Sequence, residues 1–151
     1  MSRSKILFII SLLIFLFSAF LLMTGSSVLL IELNKDPYIP LGTLTTWLGI
    51  IAIPSSIYCG IINLRAPKRR IHKFLSFLLK LAILLAILWV PISFGLAGNW
   101  SFTFSSTPSF QGGQLAMKIF WTLSYGIPLL AISVLLIHLC LSLIKSSKKS
   151  L

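Results

Sequence analysis

The stretch that decides the fold runs from Ile6 to Ile31 and reads ILFIISLLIFLFSAFLLMTGSSVLLI, 26 residues in which the only polar interruptions are Ser and Thr. A helix needs about 20 apolar residues to cross roughly 30 Å of hydrocarbon. Three further segments meet this requirement, whereas strands of a membrane barrel would alternate apolar and polar residues over about ten positions. The sequence therefore predicts an all-α membrane protein, with one integral domain (1–151) and a bundle of four transmembrane helices at about 6–31, 41–64, 74–97 and 115–144.

The composition of the whole chain indicates the same class. Of its 151 residues, 57% are hydrophobic and 10% are charged, whereas a soluble domain contains about 25% charged residues. So few charges do not cover the surface of a water-soluble globule, which excludes a soluble enzyme. Because the first apolar segment is much longer than the core of a signal peptide and has no cleavage site after it, we expect it to be retained as a helix.

Basic residues are concentrated on one side of the predicted membrane. The formal net charge is +11, from 13 Lys and Arg and 2 acidic residues. The tails and the second loop contain Arg3, Lys5, Arg65, Lys68, Arg69, Arg70, Lys73, Lys145, Lys148 and Lys149. The first outer loop contains Lys35 and both acids, Glu32 and Asp36. Cytoplasmic loops carry an excess of Lys and Arg, so we predict a bacterial inner-membrane protein with both termini and the 65–73 loop in the cytoplasm.

The basic segment 65–73 has more than one interpretation. Such clusters bind nucleic acid or anionic lipids, or they anchor the orientation of the chain at the lipid headgroups. We prefer the anchor, and we expect no nucleic-acid partner because no aromatic platforms are interleaved with the cations in a soluble domain. Lys80 lies one heptad after Lys73 and is expected to extend to the same interface.

Small residues recur on one face of each apolar segment, as expected of helices that pack closely in lipid. These positions are Ser11, Ser18 and Gly25, then Ala52, Ser56 and Gly60, then Ala82 and Ala86, and finally Ser124, Ala131 and His138. Internal prolines at 54, 91 and 128 predict kinks, with transporter-like hinges as the alternative. The uncharged loop 98–114 contains Trp100, Phe102 and Phe104 in alternation, which predicts a loop or short strand lying on the membrane surface, or a surface for a partner.

No constellation of residues predicts catalysis. The apolar segments contain no Asp or Glu, although membrane enzymes and ion-coupled carriers use ionisable groups there. Cys59 and Cys140 are interpreted as packing residues, and a haem between His72 and His138 is disfavoured because His72 is expected close to water. For His138 itself, a neutral ring bonded to a serine or a carbonyl is preferred to a role in transport. We therefore expect no enzymatic activity and no catalytic, cofactor-binding or metal-binding residues.

In layout the chain resembles immunity proteins against pore-forming bacteriocins, which are small, basic and multi-spanning with both termini inside. The resemblance implies helix–helix contact in the bilayer with the hairpin of a toxin, and no motif carries it to particular residues. Our primary hypothesis is a small non-enzymatic multi-pass protein that is an accessory or interaction component of a membrane system. A bacteriocin immunity protein and a small channel or transporter subunit are the alternatives. Expected partners are the lipid bilayer and another membrane protein or a second copy of this chain.

Overall fold

The computed structural model describes residues 2–104 and 110–147, with side chains up to Ile144. Of these residues, 80% are helical, and four helices are long and apolar enough to cross a membrane, which confirms that prediction. The elements are α1 (Arg3–Thr24), β1 (Glu32–Lys35), β2 (Tyr38–Pro40), α2 (Leu41–Gly60), α3 (Ile62–Arg65), α4 (Arg70–Ala97) and α5 (Gly113–Ser147). Lys148, Lys149 and the loop centre 105–109 lie outside the described residues, as does the side chain of Lys145.

The first apolar segment forms a shorter helix than the sequence predicts. α1 ends at Thr24 because Gly25 adopts a left-handed conformation with φ of 58° and caps the helix, a role that suits glycine. The chain then makes a short 3-10 turn at Ser27–Leu30 and an antiparallel hairpin of β1 and β2. The prediction of a helix that extends to Ile31 is therefore wrong, and no hairpin after it is predicted from the sequence.

The other helices begin and end close to the predicted positions. α2 stops at Gly60 because Ile61 has an extended backbone, and the short α3 follows it. α4 begins at Arg70, before the predicted residue 74, and α5 begins at Gly113. Prolines 54, 91 and 128 all lie inside helices, as predicted.

The core lies where α4 packs against α5 and α2. Ala82 and Ala86 on α4 and Ala131 on α5 are fully buried, so the predicted small-residue faces of these two helices are confirmed. Trp89 is also buried, and its Nε1 donates a hydrogen bond of 2.9 Å to the Oγ of Ser124. Small residues thus let the helices approach, and a bonded tryptophan fills the space between them.

The helix α1 is attached to the rest of the molecule mainly through α2. A Cβ atom placed on Gly49 would lie 2.9 Å from the Cβ of Ser18, and one placed on Gly60 would lie 2.8 Å from the ring of Phe8. Among the described residues, α1 makes extensive contact with no other long helix. Only 11% of its apolar window is buried, compared with 44% for α2. α1 is therefore a peripheral helix held along one face.

The molecule has two distinct ends. The hairpin and residues 98–104 and 110–112 form one of them, which we call the hairpin end. The start of α1, the segment 61–70 and the last turns of α5 form the other, which we call the basic end.

The first part of the loop after α4, residues 98–104, folds into the hairpin end. Phe102 is fully buried, with its ring 5.4 Å from that of Trp89 and 5.8 Å from that of Phe120. The expectation that this aromatic residue lies on the membrane is therefore wrong. The side chain of Asn99 sets the turn, since its Oδ1 accepts a 2.8 Å hydrogen bond from the backbone N–H of Phe102.

Residues of α2 hold the same loop from the other side. The Oγ1 of Thr43 donates a 2.7 Å hydrogen bond to the carbonyl of Trp100. Gly42 has no side chain, and a Cβ atom there would lie 2.6 Å from the ring of Phe104. The ring of Phe104 therefore occupies space that only glycine leaves open.

Candidate functional site

Two adjoining cavities lie between α1, α2 and α5. The cavity at the hairpin end has a volume of about 450 Å³, and the one at the basic end about 460 Å³. Phe15 of α1 and Ile53 of α2 line both cavities, so the two lie next to each other along α1. We call the two cavities together the α1–α5 cleft.

α1 and α5 both line the cleft, and among the described residues they make no extensive contact with each other. Its lining on α1 extends from Phe8 to Leu22, which is about 21 Å at 1.5 Å per residue. On α5 the lining extends from Phe120 to Leu135. Each cavity is within the range of about 300–1,000 Å³ that is typical of small-molecule sites. The cleft therefore has the size of a ligand site and follows most of the length of α1.

The lining of the cleft is almost entirely apolar. Its polar groups are mainly hydroxyls, and two of them are bonded within their own helices: Ser56 donates to the carbonyl of Ile53 and Ser124 donates to that of Phe120, both at 2.8 Å. The Oγ1 of Thr46 is buried and has no hydrogen-bond partner among the described residues. Among those residues, no acid, base or cysteine lines either cavity. The cleft is thus suited to hold an apolar molecule by shape and dispersion.

The two histidines of the chain are brought together near the basic end. The ring centroids of His72 and His138 are 5.3 Å apart, with the rings inclined at 61°. His138 is 8% exposed, and its Nδ1 is buried without a partner among the described residues. The predicted bond from His138 to a serine or carbonyl is therefore absent at this nitrogen. Because the two rings are in direct contact, they leave no room for a haem between them.

The other candidate residues, Lys80, Cys59 and Cys140, do not form a common site among the described residues. The Nζ of Lys80 lies 6.0 Å from the ring centroid of Tyr58, near the end of α2 at the basic end, which is the range of a cation–π contact. Cys59 is half-buried, but Cys140 is exposed, so the interpretation of Cys140 as a packing residue is wrong. Within the described part of the chain, no three His, Cys, Asp or Glu side chains come together as a metal site would require.

Replacing His138 by leucine is expected to leave the free energy of unfolding unchanged or to raise it by up to about 1 kcal/mol. The change removes a buried nitrogen that finds no partner in the described part of the chain and introduces an apolar group of similar length. Unfolding of the purified protein in detergent measures the effect, with His138→Asn as the polar control. A loss of more than about 1 kcal/mol in the leucine variant would show that this nitrogen makes a stabilising bond.

No protein-family model, no curated protein and no solved structure matches this chain.

Proposed function

We propose that this protein is a non-enzymatic, multi-pass component of the bacterial inner membrane that binds a membrane-embedded hydrophobic molecule in the α1–α5 cleft. In this way it acts as an accessory or interaction component of a membrane system. The observation that carries the proposal is the cleft itself, two adjoining apolar cavities between a peripheral helix and the core of the bundle. Concave, mostly apolar spaces of this size are where proteins bind hydrophobic ligands.

The outer surface of the helices supports a location in the membrane. Large apolar side chains on α1, α4 and α5 are exposed, among them Phe17, Met23, Phe77 and Leu143. Soluble monomers rarely expose contiguous apolar patches larger than a few hundred Å². Contact with lipid tails removes these side chains from water, which is favourable by about 25 cal/mol per Å² of apolar surface.

The distribution of charge supports the orientation. The basic end carries Arg3, Lys5 and the cations of segment 65–73, whereas both acids lie in the hairpin end. An excess of Lys and Arg marks the cytoplasmic side of inner-membrane proteins. We therefore assign the basic end, with both termini, to the cytoplasm and the hairpin end to the periplasm.

A reporter enzyme that is active only in the periplasm tests this orientation. Fused after Ser150, it is expected to be inactive, because the cations of the basic end retain that end in the cytoplasm. Inserted after Lys35 in the hairpin, the same reporter is expected to be active. Activity after Ser150, or its absence after Lys35 in a stably inserted fusion, would contradict the assignment.

Filling the cleft tests the binding proposal. Ala19 lines the cavity at the hairpin end, so Ala19→Phe is expected to weaken binding of a spin-labelled lipid at least tenfold, the change that a steric cost of about 1.4 kcal/mol produces. Met23 is 88% exposed on the same helix and lines neither cavity, so Met23→Phe is the matched control. The measured quantity is the motionally restricted fraction of the label in its electron paramagnetic resonance spectrum. Equal binding by wild type and Ala19→Phe would contradict the proposal.

A further inference from the structure

The cavity at the basic end terminates where the apolar helices terminate. Phe8 and Leu12 line it near the start of α1, and Gly60 and Ile61 line it at the end of α2. In a bilayer, the ends of such helices lie at the level of the lipid headgroups. The cavity therefore leads from the hydrocarbon region to the headgroup region.

Two cations lie close in sequence to residues that line this cavity. Lys5 is three residues before Phe8 on α1. Arg65 is four residues after Ile61, and its backbone N–H bonds to the carbonyl of Ile61 at 3.1 Å. Residues three or four apart lie on the same face of a helix. Lys5 therefore lies on the face of α1 that lines the cavity, and Arg65 lies one hydrogen-bonded turn after the lining residue Ile61.

The chain supplies no carboxylate side chain to these cations. Its only two acidic residues are Glu32, in β1, and Asp36, in the hairpin turn, and both are at the opposite end of the molecule. Lys5 is exposed and Arg65 is partly exposed, so both are accessible to an external anion. Anionic headgroups of the cytoplasmic leaflet are attracted to Lys and Arg in this position.

We propose that the ligand of the α1–α5 cleft is an anionic membrane lipid, with an acyl chain in the cavity at the basic end and its phosphate group beside Lys5 and Arg65. This inference rests on the proposed function, because it names the ligand of the same cleft. An acyl chain matches an apolar cavity that opens to the bilayer, and the phosphate supplies the negative charge that the chain lacks there. The alternative occupant is a transmembrane helix of a partner protein, which is about 10–12 Å wide and fills such a groove with its own side chains. An apolar helix, however, supplies no negative charge to Lys5 and Arg65.

Native mass spectrometry of the full chain tests the proposal. The protein is offered equal amounts of phosphatidylglycerol, which is anionic, and phosphatidylethanolamine, which is zwitterionic, with identical acyl chains. The wild type is expected to retain phosphatidylglycerol at least about fivefold more, and the double variant Lys5→Gln, Arg65→Gln is expected to lose that preference. The matched control Lys68→Gln, Arg70→Gln changes the net charge equally at exposed positions that line neither cavity, and it is expected to keep the preference.

A second variant tests the position of the acyl chain without changing any charge. Leu12 lines the cavity at the basic end, so Leu12→Trp is expected to reduce the retained phosphatidylglycerol about tenfold. Equal retention by Leu12→Trp and wild type would overturn the proposal. An equal loss of preference in both double variants would also overturn it, because the effect would then come from general basicity.

The remaining outcomes separate this proposal from the one on which it rests. If the wild type retains both lipids equally and Ala19→Phe weakens the retention, the cleft binds lipid, but the anionic preference is wrong. If no lipid is retained and a co-purified protein occupies the cleft, the anionic-lipid proposal and the binding of a small hydrophobic molecule both fail.

Discussion

Replacing Trp89 by alanine is expected to lower the free energy of unfolding by about 3–5 kcal/mol, the usual cost of removing a large aromatic side chain from a packed core. Trp89 is 1% exposed and lies where α4, α5 and the loop after α4 meet. Its ring contacts those of Phe102 and Phe120, and its Nε1 bonds to Ser124. The variant leaves a cavity at the point that joins the core to the hairpin end. Reversible unfolding in mixed micelles measures the loss.

Two controls identify the source of that loss. Trp89→Phe keeps one aromatic ring but removes the hydrogen bond and part of the buried indole, so we expect a smaller loss of about 1–3 kcal/mol. Phe77 is 60% exposed on the same helix, and Phe77→Ala is expected to change the free energy by less than about 1 kcal/mol. If Phe77→Ala destabilised the protein as much as Trp89→Ala does, Trp89 would not be at the centre of the packing.

Replacing Gly49 by leucine is expected to separate α1 from α2 and to abolish binding in the cleft. Even a Cβ atom at this position would lie 2.9 Å from the Cβ of Ser18, a distance that real side chains do not tolerate. Among the described residues α1 makes extensive contact with no other long helix, so α2 is the main element that holds it. Binding of the spin-labelled lipid is expected to fall at least tenfold, which corresponds to a loss of about 1.4 kcal/mol.

The same variant is expected to leave the core of α4 and α5 intact. Spin labels at the exposed positions Leu13 and Leu48 report the distance between α1 and α2, and this distance is expected to increase and broaden in Gly49→Leu. Gly95 provides the matched control, because a Cβ atom there meets nothing within 4 Å. An unchanged distance distribution in Gly49→Leu would show that α1 is not held through this contact.

The number of long apolar helices and the packing faces of α4 and α5 follow from the sequence. A run of more than 20 apolar residues forms a helix in lipid, because a helix satisfies its backbone hydrogen bonds within the segment. Small residues at helical spacing mark the side that other helices approach. Ala82, Ala86 and Ala131 are buried for this reason. The end of α1 was harder to locate, because the segment after Gly25 is as apolar as the helix before it.

The cleft and the buried loop could not be predicted from apolar pattern alone. Lipid tails and a protein interior are both apolar, so periodicity does not distinguish a lipid-facing side chain from a buried one. Phe15 lines the cleft while Phe17 is exposed. Phe102 is buried, whereas Trp100 and Phe104, two residues away on either side in the sequence, are only partly buried. The signals that do exist are local: Asn99 sets the turn before Phe102, and Gly42 leaves room for Phe104.

The central claim is that the cleft beside α1 selects anionic lipid, whereas the exposed surface of the same helix does not. Leu12 lines the cavity at the basic end, whereas Leu13 is exposed and lines neither cavity. A leucine-sized diazirine residue at each position, activated in native membranes, identifies the molecule in contact with it by the mass of the cross-linked product. We predict that the diazirine at position 12 captures mainly anionic lipid, while the one at position 13 captures lipids in proportion to the composition of the bilayer. Identical products from both positions, or a cross-link from position 12 to α5 of the same chain, would contradict it.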